Sequence, residues 1–326
     1  MTGEVGRRRA SIDIGTNTIR LLVADVAESG ALKTVTVERA ITRLGGGFSD
    51  EAGITPDAME RAIEALKGFA QSADRYGVED IRAVATSVVR RAGNGGDFVR
   101  RVREEAGFDV TVIDGKEEAR LSTLGVLSIL DGEGERFIII DIGGGSCEYI
   151  AVEKGRVVGS WSLEMGVVHL TERHLRHDPP EERELRSLAD DIKKSLKILL
   201  KEMEADGFEL TLYTGSAGAR FIGTAGTVTT IAAIDRGLSI YSPDKVNNYR
   251  IGRERIEEQY CSLAALTLAE RRAIPALEKG REDLILAGIA ITVESMKLFA
   301  YPEMTVSDSG LLEGVLLDRI AGPTGE

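Results

Sequence analysis

Ile12-Asp13-Ile14-Gly15-Thr16-Asn17-Thr18-Ile19-Arg20-Leu21-Leu22-Val23 reads as a strand, an acid, a tight turn of small polar residues and a second strand. The chain contains the pattern again, as Ile140-Asp141-Ile142-Gly143-Gly144-Gly145-Ser146-Cys147-Glu148-Tyr149-Ile150-Ala151. Asp13 matches Asp141 and Leu22 matches Ile150 at one constant spacing. Each copy is a hairpin whose turn exposes backbone N–H and hydroxyl groups. Such a turn can wrap a phosphate, and the acid before it can hold a metal ion beside that phosphate. A glycine-rich hairpin can also be purely structural. The spaced duplication, with Asp and hydroxyls kept in both copies, favours the phosphate reading. One hairpin per half predicts two similar domains facing each other across a phosphate-filled cleft.

A chain of 326 residues suits two domains, and 43% apolar with 29% charged residues is ordinary for a soluble globular protein. The net charge of −12 argues against nucleic acid as a partner, although local arginines or a bound Mg²⁺ can still draw a polyanion into a cleft. Cys147 and Cys261 lie far apart, which fits neither a zinc site nor a disulfide framework and suits a reducing, cytoplasmic setting. No signal peptide and no membrane span are expected.

In order, a third strand is expected over 31–44, and a helix from Thr55-Pro56, with Thr55 as N-cap and Pro56 at the first helical position. A strand over 81–86, a turn or helix start over 87–91, a helix over 97–106, a strand over 109–113 and a helix over 117–130 follow. The second hairpin restarts the pattern with strands over 137–142, 148–153 and 156–163. A helix follows Gly166, and a long amphipathic one runs over 181–204, with Leu185, Leu188, Ile192, Leu196, Leu199 and Met203 as a core stripe. Next come a strand and small-residue turn, Phe221-Ile222-Gly223-Thr224-Ala225-Gly226-Thr227, opening a helix over 228–234. An edge strand over 247–251, mostly helix over 253–299, a strand over 304–307 and a helix over 310–320 complete the chain. The fold class is α/β, with mixed sheets flanked by helices in each half. The domains are read as 1–127 and 128–326, the last helix, 310–320, being able to pack back on the first.

The two hairpins resemble the phosphate motifs of the exopolyphosphatase and guanosine pentaphosphate phosphohydrolase family, within the acetate kinase, sugar kinase and actin superfamily. Arg43-Leu44-Gly45, Thr86-Ser87-Val88-Val89-Arg90, Gly115-Lys116-Glu117-Glu118-Ala119-Arg120, Gly223-Thr224-Ala225-Gly226-Thr227 and Val306-Ser307-Asp308-Ser309-Gly310 agree with it in order. The resemblance spans essentially the whole chain. It implies two ribonuclease-H-like domains with the active site between them, in a short form lacking the family's further C-terminal region.

Hydrolysis of a terminal phosphoanhydride needs a held phosphoryl group, an in-line water and a base. Glu118 matches the family's catalytic glutamate. Glu117 is its rival, and neighbouring helix positions point about 100° apart, so only one faces a given side. Asp141 and Glu148 are the expected Mg²⁺ (or other divalent) ligands, and Asp13 can bind metal, orient water or cap its own turn. Thr16, Asn17, Thr18, Gly143, Gly144, Gly145 and Ser146 are expected to approach phosphate, with Arg20 and Arg90 as guanidinium clamps. Arg43, Gly223, Thr224, Gly226, Thr227 and Arg281 are further candidates. His169 stands where the family often has Arg, and Asn247 and Asn248 where a His-containing strand start is common.

The resemblance thus implies an Mg²⁺-assisted phosphohydrolase releasing orthophosphate from inorganic polyphosphate. Guanosine penta- or tetraphosphate is the alternative ligand, tying the chain to the stringent response. Two other classes stay open: a low-turnover polyphosphate or (p)ppGpp sensor, and a phosphotransferase of the same superfamily. No membrane partner is expected, and a homodimer is compatible with the fold.

Overall fold

The computed structural model describes residues 7–27, 31–49, 51–131 and 135–318. The chain divides into two units: Met1–Gly125 together with Gly310–Glu326, and Val126–Ser309.

The first unit is built on the opening hairpin, β1 (Arg7–Ile14) and β2 (Thr18–Val26). It continues through β3 (Leu32–Ile41), α1 (Pro56–Arg75), β4 (Asp80–Ala85), α2 (Ser87–Arg91), α3 (Gly95–Ala106), β5 (Val110–Val112) and α4 (Gly115–Leu127). The sheet order is β3-β2-β1-β4-β5, antiparallel over the hairpin strands and parallel from β1 to β5. β1 is central, so both its edges are paired. Ala10, Ile12 and Ile14 enter a core with Ile63 and Leu66 of α1 and Phe98 and Val102 of α3. Thr55 starts α1, its Oγ1 accepting from the Ala58 N–H at 3.4 Å, with Pro56 at the first helical position.

The second unit repeats the opening with β6 (Arg136–Ile142), β7 (Cys147–Glu153) and β8 (Arg156–Leu163). Then come α5 (Val167–His174), α6 (Glu182–Ala205), β9 (Arg220–Thr224), α7 (Ala225–Asp235), α8 (Pro243–Val246) and β10 (Arg250–Gly252). α9 (Arg253–Ala264), α10 (Leu268–Arg272), α11 (Ile285–Leu298) and β11 (Glu303–Val306) finish it. Its sheet runs β10-β11-β9-β6-β7-β8, with the same antiparallel trio followed by parallel strands. α11 is apolar on nearly every side because it packs among α6, α7 and α9. Leu188, Ile192, Leu196, Leu199 and Met203 of α6 are buried, and Leu185 is partly so.

The closing helix α12 (Leu311–Leu317) belongs to the first unit. Ser11 Oγ donates to the Leu312 carbonyl at 2.8 Å. Leu312 and Leu316 cover Leu22, Ala24 and Val26, while Leu311 and Val315 meet Val84, Ile113 and Leu121. α12 and α4 cross where a Cβ on Gly314 would overlap the Leu121 carbonyl and one on Gly125 the Gly310 carbonyl.

Several boundaries differ from the sequence expectation for identifiable reasons. α4 begins at Gly115 rather than 117, because the Asp114 carboxylate accepts from the Glu117 N–H at 2.8 Å, and it stops at Leu127 rather than 130. α3 begins at Gly95 rather than 97, the backbone there lying too close to the Val89 carbonyl for a Cβ. α7 begins at Ala225 rather than 228, since Ala225 at φ +70° turns the chain straight from strand to helix. The edge strand shrinks to Arg250–Gly252 because the asparagines before it bond elsewhere. Asn247 Oδ1 accepts from the Asp308 N–H at 2.6 Å, and Asn248 Nδ2 donates to the Ile129 carbonyl at 2.8 Å. Residues 319–320 of the expected last helix lie outside the described residues. Among the described residues no helix is long and apolar enough to cross a membrane.

Candidate active site

The two hairpin turns close in the same way. The Gly15 N–H donates to the Thr18 carbonyl at 3.2 Å, and the Gly143 N–H to the Ser146 carbonyl at 3.0 Å. At the equivalent ladder positions Asp13 faces Arg20, and Asp141 faces Glu148. Directly opposed residues of an antiparallel pair share a face of the sheet. The first pair is a salt bridge, with Arg20 Nη2 at 2.7 Å and Nε at 3.2 Å from Asp13 Oδ2. The second pair sets two carboxylates on one face.

The first turn is fixed from behind by the segment after β3. The Thr42 and Arg43 N–H groups donate to the Asn17 carbonyl at 3.1 and 2.9 Å, and the Gly45 N–H to the Thr16 carbonyl at 2.8 Å. Arg43 contributes its backbone here at φ +48°, and its side chain is exposed. Thr16 and Asn17 are buried, Thr18 half-buried. Asn17 Nδ2 donates to Thr18 Oγ1 at 3.3 Å, while Asn17 Oδ1 and Thr42 Oγ1 are buried with no hydrogen-bond partner. A buried polar oxygen is costly unless it finds a partner.

Glu118 and Glu117, adjacent in the first turn of α4, have opposite surroundings. Glu117 is bound to Arg120 by two hydrogen bonds of 2.8 Å, and Arg120 also holds Asp318. Burial alone would raise the Asp318 pKa, but hydrogen bonds from Arg82 and Arg120 outweigh it and hold that carboxyl below its ordinary value. Glu118 is 8% exposed, and its Oε2 accepts from Arg90 Nη1 at 3.1 Å. Arg90 Nη1 also donates to the Ile113 carbonyl at 2.8 Å, so the guanidinium is anchored while it holds Glu118.

In the second unit the glycine turn is backed by α5. The Val167 and Val168 N–H groups donate to the Gly143 and Gly144 carbonyls at 3.1 and 3.0 Å. Those carbonyls are thus drawn back against the helix. Gly166 makes the approach possible, since a Cβ there would overlap Gly144 and Gly145 backbone atoms. Ser146 and Glu148 are buried, and Glu148 Oε1 accepts from Ser162 Oγ at 2.8 Å. His169 is half-buried on α5.

At the start of α7 the expected candidates separate. Thr224 Oγ1 donates to the Ser309 carbonyl at 3.1 Å, and the Thr227 side chain packs against Gly288. Gly223 packs under Met304 and Val228. These three tie the turn into the unit. Gly226 lies directly under the guanidinium of Arg281, whose Nη1 occupies the place a Cβ would take. Arg281 Nε donates to Glu278 Oε2 at 2.7 Å.

Among the described residues no group of three or more His, Cys, Asp or Glu side chains is placed to hold a metal ion. The Asp141–Glu148 pair nevertheless fits Mg²⁺, an ion commonly held by one or two carboxylates together with waters and substrate phosphates. Asp13, already paired with Arg20, fits it less well. Sequence reasoning did not single out Asp114 or Thr42, and it marked Gly166 only as the residue before a helix. Asp114 had a readable signal, an acid three residues before Glu117 at a helix start. The others depend on partners that no local pattern announces.

The chain matches the model of the Ppx/GppA phosphatase family over residues 22–321. It is 32% identical to Exopolyphosphatase 2 of Mycobacterium tuberculosis across 95% of this chain and 98% of that protein. A crystal structure of an exopolyphosphatase from Cytophaga hutchinsonii matches at 31% identity and a TM-score of 0.86, covering 97% of this chain and 98% of that one. The Aquifex aeolicus Ppx/GppA family member matches at 31% identity and a TM-score of 0.78, covering 98% and 99%.

Proposed function

The chain belongs to the Ppx/GppA phosphatase family, and from that premise we propose that it is an exopolyphosphatase, releasing orthophosphate from the end of inorganic polyphosphate. The observation that carries the reading is Glu118, a buried carboxylate in the first turn of α4 held by an anchored arginine. In this reading Glu118 takes a proton from a water attacking the terminal phosphorus. The P–O bond to the bridging oxygen breaks, and that oxygen leaves with the shortened chain. Arg20 and Arg90 bind phosphate oxygens. Both hold carboxylates in this structure, so an incoming phosphate competes with Asp13 and Glu118 for them. In each unit the N–H groups within the hairpin turn, with the hydroxyls of Thr16 and Thr18 in the first and of Ser146 in the second, are offered to phosphate oxygens, and Arg281 offers its guanidinium to a further one. Asp141 and Glu148 would hold a divalent cation such as Mg²⁺, which supplies positive charge to offset that developing on the phosphoryl oxygens.

The test is orthophosphate release with Mg²⁺ from long polyphosphate, short polyphosphate and guanosine pentaphosphate, with Glu118→Gln as control. Release from polyphosphate that falls ~10²-fold or more in the control supports both the activity and the base. Preference for guanosine pentaphosphate would replace the named substrate. Robust release unaffected by Glu118→Gln would remove Glu118 from the mechanism and move the search to Glu117 or Asp13. One observation favours a second reading, low-turnover binding: Arg90 occupies an oxygen of the Glu118 carboxylate. A melting temperature raised by polyphosphate, with no release, is the outcome that selects it.

A further inference from the structure

We propose that Glu282 is a positioning residue: it builds the turn that lays the Arg281 guanidinium over Gly226 at the start of α7, where Arg281 meets a phosphate oxygen of bound polyphosphate. The assignment rests on the polyphosphate reading above.

The turn before α11 is tied down on every side. The Arg281 N–H donates to the Glu278 carbonyl at 3.1 Å, and the Arg281 carbonyl accepts from the Leu284 and Ile285 N–H groups, both at 3.0 Å. Its backbone is therefore the first step of α11. Glu282 ties this turn to α10. The side chain is buried at 5% exposure. Oε2 reaches back to accept from the Gly280 N–H at 2.5 Å, at a residue with φ +88°. Oε1 accepts from Arg272 Nε at 2.8 Å and also from Arg272 Nη2, on α10. α10 is itself fixed by a capping box between Thr267 and Glu270. Burial by itself would raise the Glu282 pKa, yet hydrogen bonds from its own backbone, Arg272 and Gly280 outweigh it and keep the carboxyl below its ordinary value. The group is ionised at neutral pH, and its bonds to Arg272 are of the strong, charge-assisted kind. Gly226 supplies the other half of the fit: a Cβ there would overlap the Arg281 guanidinium. An arginine held down on the N–H end of an eleven-residue helix adds its charge to the helix's own positive end.

The experiment compares wild type with Glu282→Ala, Glu282→Gln, Gly226→Ala and the Glu282→Ala/Gly226→Ala double variant. It reads KM and kcat for polyphosphate, and the polyphosphate concentration that half-maximally raises Tm, which needs no turnover. Glu282→Ala is expected to raise KM and that concentration about tenfold, with kcat within about twofold of wild type. Gly226→Ala is expected to do the same, and the double variant no more than either alone, since both act through Arg281. Glu282→Gln keeps the shape and the Gly280 acceptor, guards against a folding defect in the alanine variant, and is expected to fall between. Lower Tm in the Glu282 variants with unchanged KM and unchanged polyphosphate response makes the role structural and overturns the proposal. Wild type that shows no polyphosphate response at all overturns the polyphosphate reading, and this assignment with it.

Discussion

Asp13 and Asp141 occupy the same place in two hairpins, and the residue opposite each decides what it can do. Asp13 has Arg20, so its charge is met within the protein at 2.7 Å. Asp141 has Glu148, and like charges directly opposed on a sheet cost stability. Glu148→Gln keeps the oxygen that accepts from Ser162 while removing the repulsion. The metal-free variant is expected to be more stable than wild type by about 0.2–1 kcal/mol. It should also need at least tenfold more Mg²⁺ for half-maximal phosphate release. Thermal melts in chelator and a Mg²⁺ titration check both halves. A variant less stable than wild type without metal would mean that other protein groups already balance the pair. At this scale the sequence named the acids and arginines but not their pairing. Arg90 and Glu118 stand 28 residues apart, and nothing in either stretch announces that they meet. In sequence only the family motif separates Glu118 from Glu117; in the structure burial and Arg90 mark the first, and Arg120 the second.

Elements carry the next constraint, through backbones that touch. Gly166 lies against the Gly144–Gly145 backbone, where nothing flexible can yield to a methyl group. Gly166→Ala is expected to cost about 1–3 kcal/mol of stability and to distort the glycine turn, lowering phosphate release further than the stability loss explains. Retained activity with lowered Tm would show that the turn tolerates displacement. α6 illustrates a different dependence. At its third residue Glu184 accepts from the backbone N–H groups of Glu181 and Arg176, at 3.0 and 3.1 Å, and contacts His177 Nδ1 at 2.8 Å. Burial works against its charge, but the hydrogen bonds from His177 and the backbone of Glu181, Arg176 and His177 bring its pKa down to about 2. A carboxyl with a depressed folded pKa stabilises above its unfolded value, about 4.3, and that stabilisation is lost as pH falls towards the folded one. Wild type should therefore exceed Glu184→Gln in Tm at pH 7, and the gap should close between about pH 4.3 and pH 2. A gap independent of pH would assign the effect to packing. The amphipathic stripe of α6 was legible from periodicity; the loop that Glu184 gathers was not, because all but its contact with His177 Nδ1 run to backbone, which has no sequence identity.

For the whole molecule, the succession of elements and the duplicated hairpin were readable because strands, turns and caps leave local marks: Asp before a small-residue turn, Thr55-Pro56 before α1. The contact between Ser11 and Leu312 leaves none, for it joins residues 301 positions apart. A chain cut after residue 309 would lose α12 and uncover Leu22, Val26, Val84 and Leu121. Each such side chain is worth about 1.5–3 kcal/mol when fully buried. The truncated protein is expected to bind a hydrophobic dye and to melt in two steps, the first unit failing first. A single transition at the wild-type temperature would mean that α12 adds little.

That closing helix also sets a schedule. Ribosomes deliver a chain from its N-terminus, and a unit folds when its parts are available. Here the first unit must wait for a helix encoded after the whole of the second. At about 5–20 residues per second, the delay between residue 125 and residue 310 is roughly 10–40 s. Through that interval the part of the nascent five-stranded sheet that α12 covers, around Leu22, Ala24 and Val26, stands open, while the second unit, contiguous from 126 to 309, can already fold. The half of the protein that is made first is the half that is finished last, so it is the first unit's sheet that would occupy a chaperone during synthesis.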